Sequence, residues 1–176
     1  MPLESLFFLD EFGSHLALTP TRARAPQGVR VEMEEPFKRG ANYSTIAALS
    51  VRGVHAPFTI EGAFDHEIFE LWVEQMLVPA LRQGDWVLLD NVSFHYSARA
   101  LRLIEDAGAS VLHLPAYSPD FNPIEECFSK IKNYLRSTKA RTKRKLYLAL
   151  AKAIEQVTDA DILGWFKHCG YVYSLN

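Results

Sequence analysis

Cysteine is scarce in this chain: only Cys127 and Cys169 occur among 176 residues, and their placement matches no metal-ligand spacing. A cysteine-based metal module is therefore not expected, and both are read as buried thiols, Cys127 on or near an apolar helix face. Long apolar runs are absent too. No stretch of 18 apolar residues exists, and the N-terminus has no basic region leading into an apolar segment. Neither a membrane span nor a secretory signal is expected, which makes the cytoplasm the expected compartment. A strong net charge is missing as well, since the formal value of -2 argues against a protein that coats nucleic acid. No acid falls between Cys127 and Lys145, although that interval holds eight of the nineteen basic residues, among them Lys130, Lys132 and Arg136. It reads equally as a solvated helix face or as a contact surface for a phosphate backbone. There are no internal repeats and no linker. With 48% hydrophobic residues, the expectation is one domain over residues 1–176.

The apolar run from Ser5 to Asp10 predicts a strand buried on both faces that ends in Asp10 and Glu11. Tyr43 to Val51 and Val54 to Ile60, joined at Arg52-Gly53, predict an antiparallel hairpin. The connection from Thr19 to Asn42, rich in proline, glycine and basic residues, is long enough to suggest function or a small hairpin of its own. Asp65 is an expected N-cap for a helix with Ile68, Leu71, Trp72 and Gln75 or Met76 inward, kinked or ended by Pro79. A second apolar run, Asp85 to Asp90, again ends in an aspartate. A helix from about His95 to Asp106 and a strand from Ser110 to Leu114 then complete a parallel crossover. The chain closes with a basic helix to about Thr138, a helix from roughly Lys143 to Val157, and a short helix capped at Thr158-Asp-Ala-Asp161.

Leu114-Pro-Ala-Tyr-Ser-Pro-Asp-Phe-Asn-Pro-Ile-Glu-Glu126 is a loop running into a helix with Asn122 as N-cap and Pro123 at the first helical position. Glu125 then lies at N3, where a carboxylate can simply close a capping box. Ile124, Phe128, Ile131 and Leu135 mark the buried stripe, so at about 100° per residue Glu125 falls at its margin and Glu126 toward solvent. Ligands of open sheets bind beyond the carboxyl ends of parallel strands, where Asp10 and Asp90 would meet. Glu11 is the competing choice on the first strand, its side chain pointing to the opposite sheet face. Two converging carboxylates with a third from a flanking helix suit hard divalent cations. Two such ions, spaced about 3.5–4 Å, serve in-line attack at a phosphodiester. A two-carboxylate glycosidase needs fewer acids than this.

Asp10-Glu11, Asp90-Asn-Val-Ser-Phe-His95 and the block ending in Glu125 resemble the three catalytic blocks of mariner-like DDE transposases, especially their bacterial insertion-sequence branch. Residues 91–124 separate Asp90 from Glu125, the interval that branch uses. The ending Trp165-Phe-Lys-His-Cys-Gly-Tyr171 also looks familial. The resemblance implies an α/β, ribonuclease-H-like mixed sheet flanked by helices, and a Mg²⁺-dependent transposase, with Mn²⁺ as a substitute. In that reading Asp10, Asp90 and Glu125 hold two ions for DNA phosphodiester cleavage and strand transfer at insertion-sequence ends. Asn91 and His95 match further recurrent positions, with either a local structural role or a supporting or DNA-contacting one; Tyr117, Ser118 and Asp120 read as loop architecture. Implied partners are transposon-end and target DNA, a homo-oligomer in the DNA complex, and an upstream-encoded helix-turn-helix domain, for which no room exists before Asp10. No membrane partner is implied, and the expected setting is a bacterial cytoplasm with nucleoid association on DNA. The alternative is an inactive remnant that binds DNA or oligomerises without catalysis.

Overall fold

Four consecutive apolar residues, Leu6-Phe-Phe-Leu9, are all buried in the computed structural model, which describes residues 1–22, 24–30, 32, 36, 40–116 and 118–171. A strand apolar on both faces needs cover on both, and it occupies the middle of the sheet. This is β1 (Leu6–His15); the others are β2 (Asn42–Ser50), β3 (Gly53–Glu61), β4 (Trp86–Leu89) and β5 (Ser110–His113). Their order is β3-β2-β1-β4-β5, with β1 antiparallel to β2, β2 antiparallel to β3, and parallel pairs β1–β4 and β4–β5. The expected mixed sheet is present.

Helices α1 (His66–Trp72) and α2 (Ala98–Asp106) cover one face; α3 (Pro123–Thr138), α4 (Lys143–Glu155) and α5 (Asp159–His168) belong to the other. Successive β1 side chains point to opposite faces, so Leu6, Phe8 and Phe12 join Ile124, Phe128 and Ile131 in one core. Phe7 and Leu9 join Phe69, Trp72 and Ile104 in the second. Each large apolar side chain so buried contributes about 1.5–3 kcal/mol. Among the described residues no helix is long and apolar enough to cross a membrane.

Several elements depart from the sequence expectation. β1 runs five residues past Asp10, because β2 continues to pair with it as far as His15 opposite Asn42. α1 turns Phe69 and Trp72 inward, and the turn that follows it adds Val73 and Leu77, whereas Leu71 and Gln75 are exposed. Its regular part ends at Trp72, where a wider π turn over Val73–Leu77 resets the phase before Pro79 closes the segment. Trp72 anchors this face by donating its indole N–H to Ala56 O, 2.8 Å away. α2 starts at Ala98 rather than His95, since Ser97 accepts the Ala100 amide as N-cap and a 3₁₀ turn takes up Ser93–Tyr96. Much of the Thr19–Asn42 connection, including the basic Lys38 and Arg39, lies outside the described residues, as does Tyr117.

Candidate active site

The parallel ladder between β1 and β4 ends at Leu9 opposite Leu89, so the next residue on each strand is an aspartate. Asp10 and Asp90 thus stand side by side where β4 leaves the sheet and β1 continues only against β2. The loop after β5 leads into α3, whose first turn carries Glu125 to the same place. A cavity of about 380 Å³ is lined by Asp90, Asn91, Asn122 and Glu125 together with Leu114, Pro115 and Pro119. Pro123 at the start of α3 needs no amide partner and sets the helical φ.

The capping box does not form. Asn122 makes no side-chain cap hydrogen bond; it is buried and donates from Nδ2 to Asp10 Oδ2 at 3.2 Å. Sequence reasoning assigned Asn122 to the helix end and missed this contact, although it lies in the same motif as Glu125. The burial expected of the two glutamates is also reversed. Glu125 is exposed on the cavity side, while Glu126 is half-buried because the C-terminal turn of α5 packs over it and His168 hydrogen-bonds to it. Helical phase still separates the two, and only Glu125 lines the cavity.

Burial is the main reason that the Asp10 carboxyl is raised to about 7. The Glu11 amide, donating to Asp10 Oδ1 at 2.7 Å, opposes the shift, and the charges of Glu11, Asp90 and Glu125 add to it. Burial also pushes Asp90 upward. There the hydrogen bond and charge of His95, the Val92 amide and the charge of His113 outweigh it and hold Asp90 below the usual range.

His95 lies between two carboxylates. It is fully buried, with Nδ1 at 2.6 Å from Asp90 Oδ1 and Nε2 at 3.6 Å from Glu11 Oε2, and its ring is in contact with those of Phe69 and Phe94. Glu11 extends toward the α1–α2 side, the face opposite Asp10, and burial raises its carboxyl against the lowering charge of His95. Asn91 staples strand ends: Nδ2 donates to Leu114 O at 2.9 Å and Oδ1 accepts from the Tyr96 hydroxyl at 2.5 Å.

The basic residues differ in what they touch. Lys130 is engaged, donating to Gln156 O and to the Asp161 carboxylate. Lys132 lies 5.7 Å from the centre of the Phe12 ring, and Arg136 donates to Asn133 Oδ1 beside a recess shared with Pro20, Thr21 and Arg22. Arg141 donates to Leu16 O and Leu18 O. Lys139, Arg144 and Lys145 are exposed.

Residues 5–147 match the family described as DDE superfamily endonuclease. Among solved structures, the Mos1 mariner paired end complex with Mn superposes with a TM-score of 0.76 at 19% identity, covering 96% of this chain and 54% of that one. The Mos1 strand transfer complex gives 0.72 at 19% identity over 96% and 51%. The Mos1 transposase catalytic domain with Raltegravir and Mn gives 0.71 at 13% identity over 96% and 80%. The fold is therefore that of the ribonuclease-H-like transposase catalytic domains, and the chain spans about half the length of the Mos1 chains in those DNA assemblies. No curated protein sequence gives a significant match.

Proposed function

This chain belongs to the DDE superfamily endonucleases, and from that premise we propose that it is a transposase catalytic domain that cleaves and joins DNA at insertion-sequence ends. The observation that carries the proposal is the convergence of three acids: Asp90 and Glu125 line one open cavity, and Asp10 stands beside them, within reach of both charges and hydrogen-bonded by the cavity residue Asn122. The donor set fits hard divalent cations, since the three groups are oxygen ligands, and burial with added repulsion from Asp90 and Glu125 already raises Asp10. In this reading Asp10, Asp90 and Glu125 would hold Mg²⁺, or Mn²⁺ in its place, as a pair of ions. When bound there, such ions activate an attacking water or DNA 3′-hydroxyl and stabilise the leaving oxygen.

The chain's own residues supply the arrangement. Asn122 holds one Asp10 oxygen from the α3 side while the Glu11 amide holds the other. His95 fixes Asp90 Oδ1, and Asn91 ties the end of β4 to the chain leaving β5. Such outer contacts keep ligands in a productive orientation. Lys132, Arg136 and the exposed cations after Thr138 are the proposed phosphate contacts; Lys130 is left out because α5 engages it.

Within this proposal residues 1–176 act as one catalytic domain working on transposon ends and target DNA as a homo-oligomer. A helix-turn-helix polypeptide reads the ends, in a bacterial cytoplasm at the nucleoid. The test is cleavage of duplex DNA bearing the element's ends, with Mg²⁺ or Mn²⁺ and that polypeptide supplied. The expected result is metal-dependent strand cleavage that falls in Asp90→Ala by more than the roughly 10–100-fold that loss of an outer partner costs. Cleavage unchanged in Asp90→Ala overturns the proposal, and DNA binding without any cleavage favours the non-catalytic remnant.

A further inference from the structure

The ending Trp165–Tyr171 takes no part in the three-carboxylate site, yet it brings two metal-ligating side chains against α3. A Glu126 carboxylate oxygen, a His168 ring nitrogen and Cys169 Sγ all lie within 4.8 Å of one another. From this juxtaposition we propose that Glu126, His168 and Cys169 form a separate transition-metal site. It takes Zn²⁺ with water in the fourth position and fastens the C-terminal turn of α5 to the first turn of α3.

The ligand chemistry sets this group apart from the catalytic acids. Thiolate, imidazole and carboxylate together are a borderline-soft set that suits Zn²⁺, whereas Mg²⁺ takes oxygen ligands and retains several waters. Tetrahedral ligands at bond lengths of about 2.0–2.3 Å lie about 3.3–3.7 Å apart, so an entering ion replaces the His168–Glu126 hydrogen bond, parting that pair, while Cys169 already lies within 4.8 Å of both. The imidazole and carboxylate are already side by side, since His168 Nδ1 is hydrogen-bonded to Glu126, and an ion takes the place of the proton they share. Cys169 is 7% exposed while the His168 side chain is 80% exposed, which gives an inner wall and an open side for an ion and a water.

Backbone and ring contacts hold the turn in place. The Cys169 amide donates to Trp165 O at 2.9 Å, Gly170 takes φ +85°, and the Tyr171 hydroxyl donates to Phe121 O at 2.9 Å. The Tyr171 ring meets Phe8 with centroids 4.9 Å apart. Burial works against a thiolate here, and the neighbouring carboxylates favour a cation that would offset it. Burial raises the Cys169 thiol to about 11, and the carboxylates of Glu126, Asp120 and Glu125 add to the rise. A bound cation offsets that negative charge and yields the thiolate. Because Glu126 follows Glu125 in α3, the site also steadies the turn that carries the third acid.

The inference does not depend on transposition, since Asp10 and Asp90 take no part in it. The test titrates the full chain, reduced and stripped of metal, with Co²⁺ as a coloured probe for Zn²⁺. The expected result is one Co²⁺ per chain with a thiolate charge-transfer band, displaced by Zn²⁺ and indifferent to excess Mg²⁺. Cys169→Ser abolishes the band. His168→Ala, which removes an exposed side chain and leaves the circular dichroism native, weakens Zn²⁺ binding by roughly tenfold or more. Cys127→Ser and Asp90→Asn leave the band in place. The proposal is overturned by the absence of a thiolate band, by its persistence in Cys169→Ser, or by Zn²⁺ binding that survives His168→Ala and disappears in Asp90→Asn.

Discussion

Asp10 carries the largest carboxylate shift of the site, half-buried beside three other carboxylates with two amide N–H groups as its hydrogen-bond donors. Its carboxyl is raised from 3.8 to about 7, so the stability it contributes is full below the unfolded value and is lost as pH rises through about 7. The metal-free chain should therefore lose stability between about pH 4 and pH 7 relative to Asp10→Asn, by on the order of 2–4 kcal/mol. Thermal melts in chelator across that range check it, and parallel curves for the two proteins would contradict it. His95 offers a second check at this scale. Removing its ring leaves Asp90 and Glu11, both partly exposed, without the group that lies between them. His95→Ala should lower the melting temperature, through the lost packing of a fully buried ring, and should weaken Mn²⁺ binding about 10–100-fold in the fraction still folded. His95→Gln, which restores a polar contact to Asp90, should recover part of both. Asp90 and His95 were legible as a motif. Their contact through the sheet to Glu11 was not, because it joins residues 84 positions apart along the chain.

α5 reaches the site through α3, and one capping arrangement joins the two helices. Thr158 and Asp161 form a capping box at the start of α5, and Lys130 of α3 donates to the Asp161 carboxylate. Hydrogen bonds from Lys130 and Thr158 hold Asp161 down at about 2. This depressed group contributes stability above the ordinary carboxylate range and loses it as pH falls toward 2. The pair is partly exposed, so solvent screening limits the Lys130 contact to no more than about 1 kcal/mol. Lys130→Ala should lower the melting temperature at pH 6, with the difference closing near pH 2; a gap independent of pH would contradict the assignment. The helices of this half were readable because their apolar residues recur at a steady three or four positions. α1 was misphased by one residue from its first turn, where Phe69 rather than Ile68 is buried, because apolar residues stand at adjacent positions, Ile68-Phe69 and Leu71-Trp72-Val73, and periodicity alone does not choose between the two stripes. Likewise the solvent exposure of Glu125 and Glu126 depends on α5 lying over one side of α3, a tertiary fact that helical phase alone does not contain.

Across the whole molecule, the topology does for the acids what no local segment does. β1 is paired antiparallel to β2 along eight residues but parallel to β4 only as far as Leu9, so the sheet opens beside Asp10 and Asp90. The order of strands and helices was legible, since two apolar runs ending in aspartate and a proline-led helix point to one sheet edge. How far β1 continues was not, because its second half is specified by its antiparallel partner rather than by its own polar residues. The central claim is that this edge assembles a site for hard divalent ions from Asp10, Asp90 and Glu125, and Mn²⁺ binding to the purified chain tests it most directly. Electron paramagnetic resonance should show two Mn²⁺ per chain, bound weakly or not at all in Asp90→Asn and Glu125→Gln and unchanged in Glu126→Gln. Undiminished binding in Asp90→Asn and Glu125→Gln, or its loss in Glu126→Gln alone, would contradict the account.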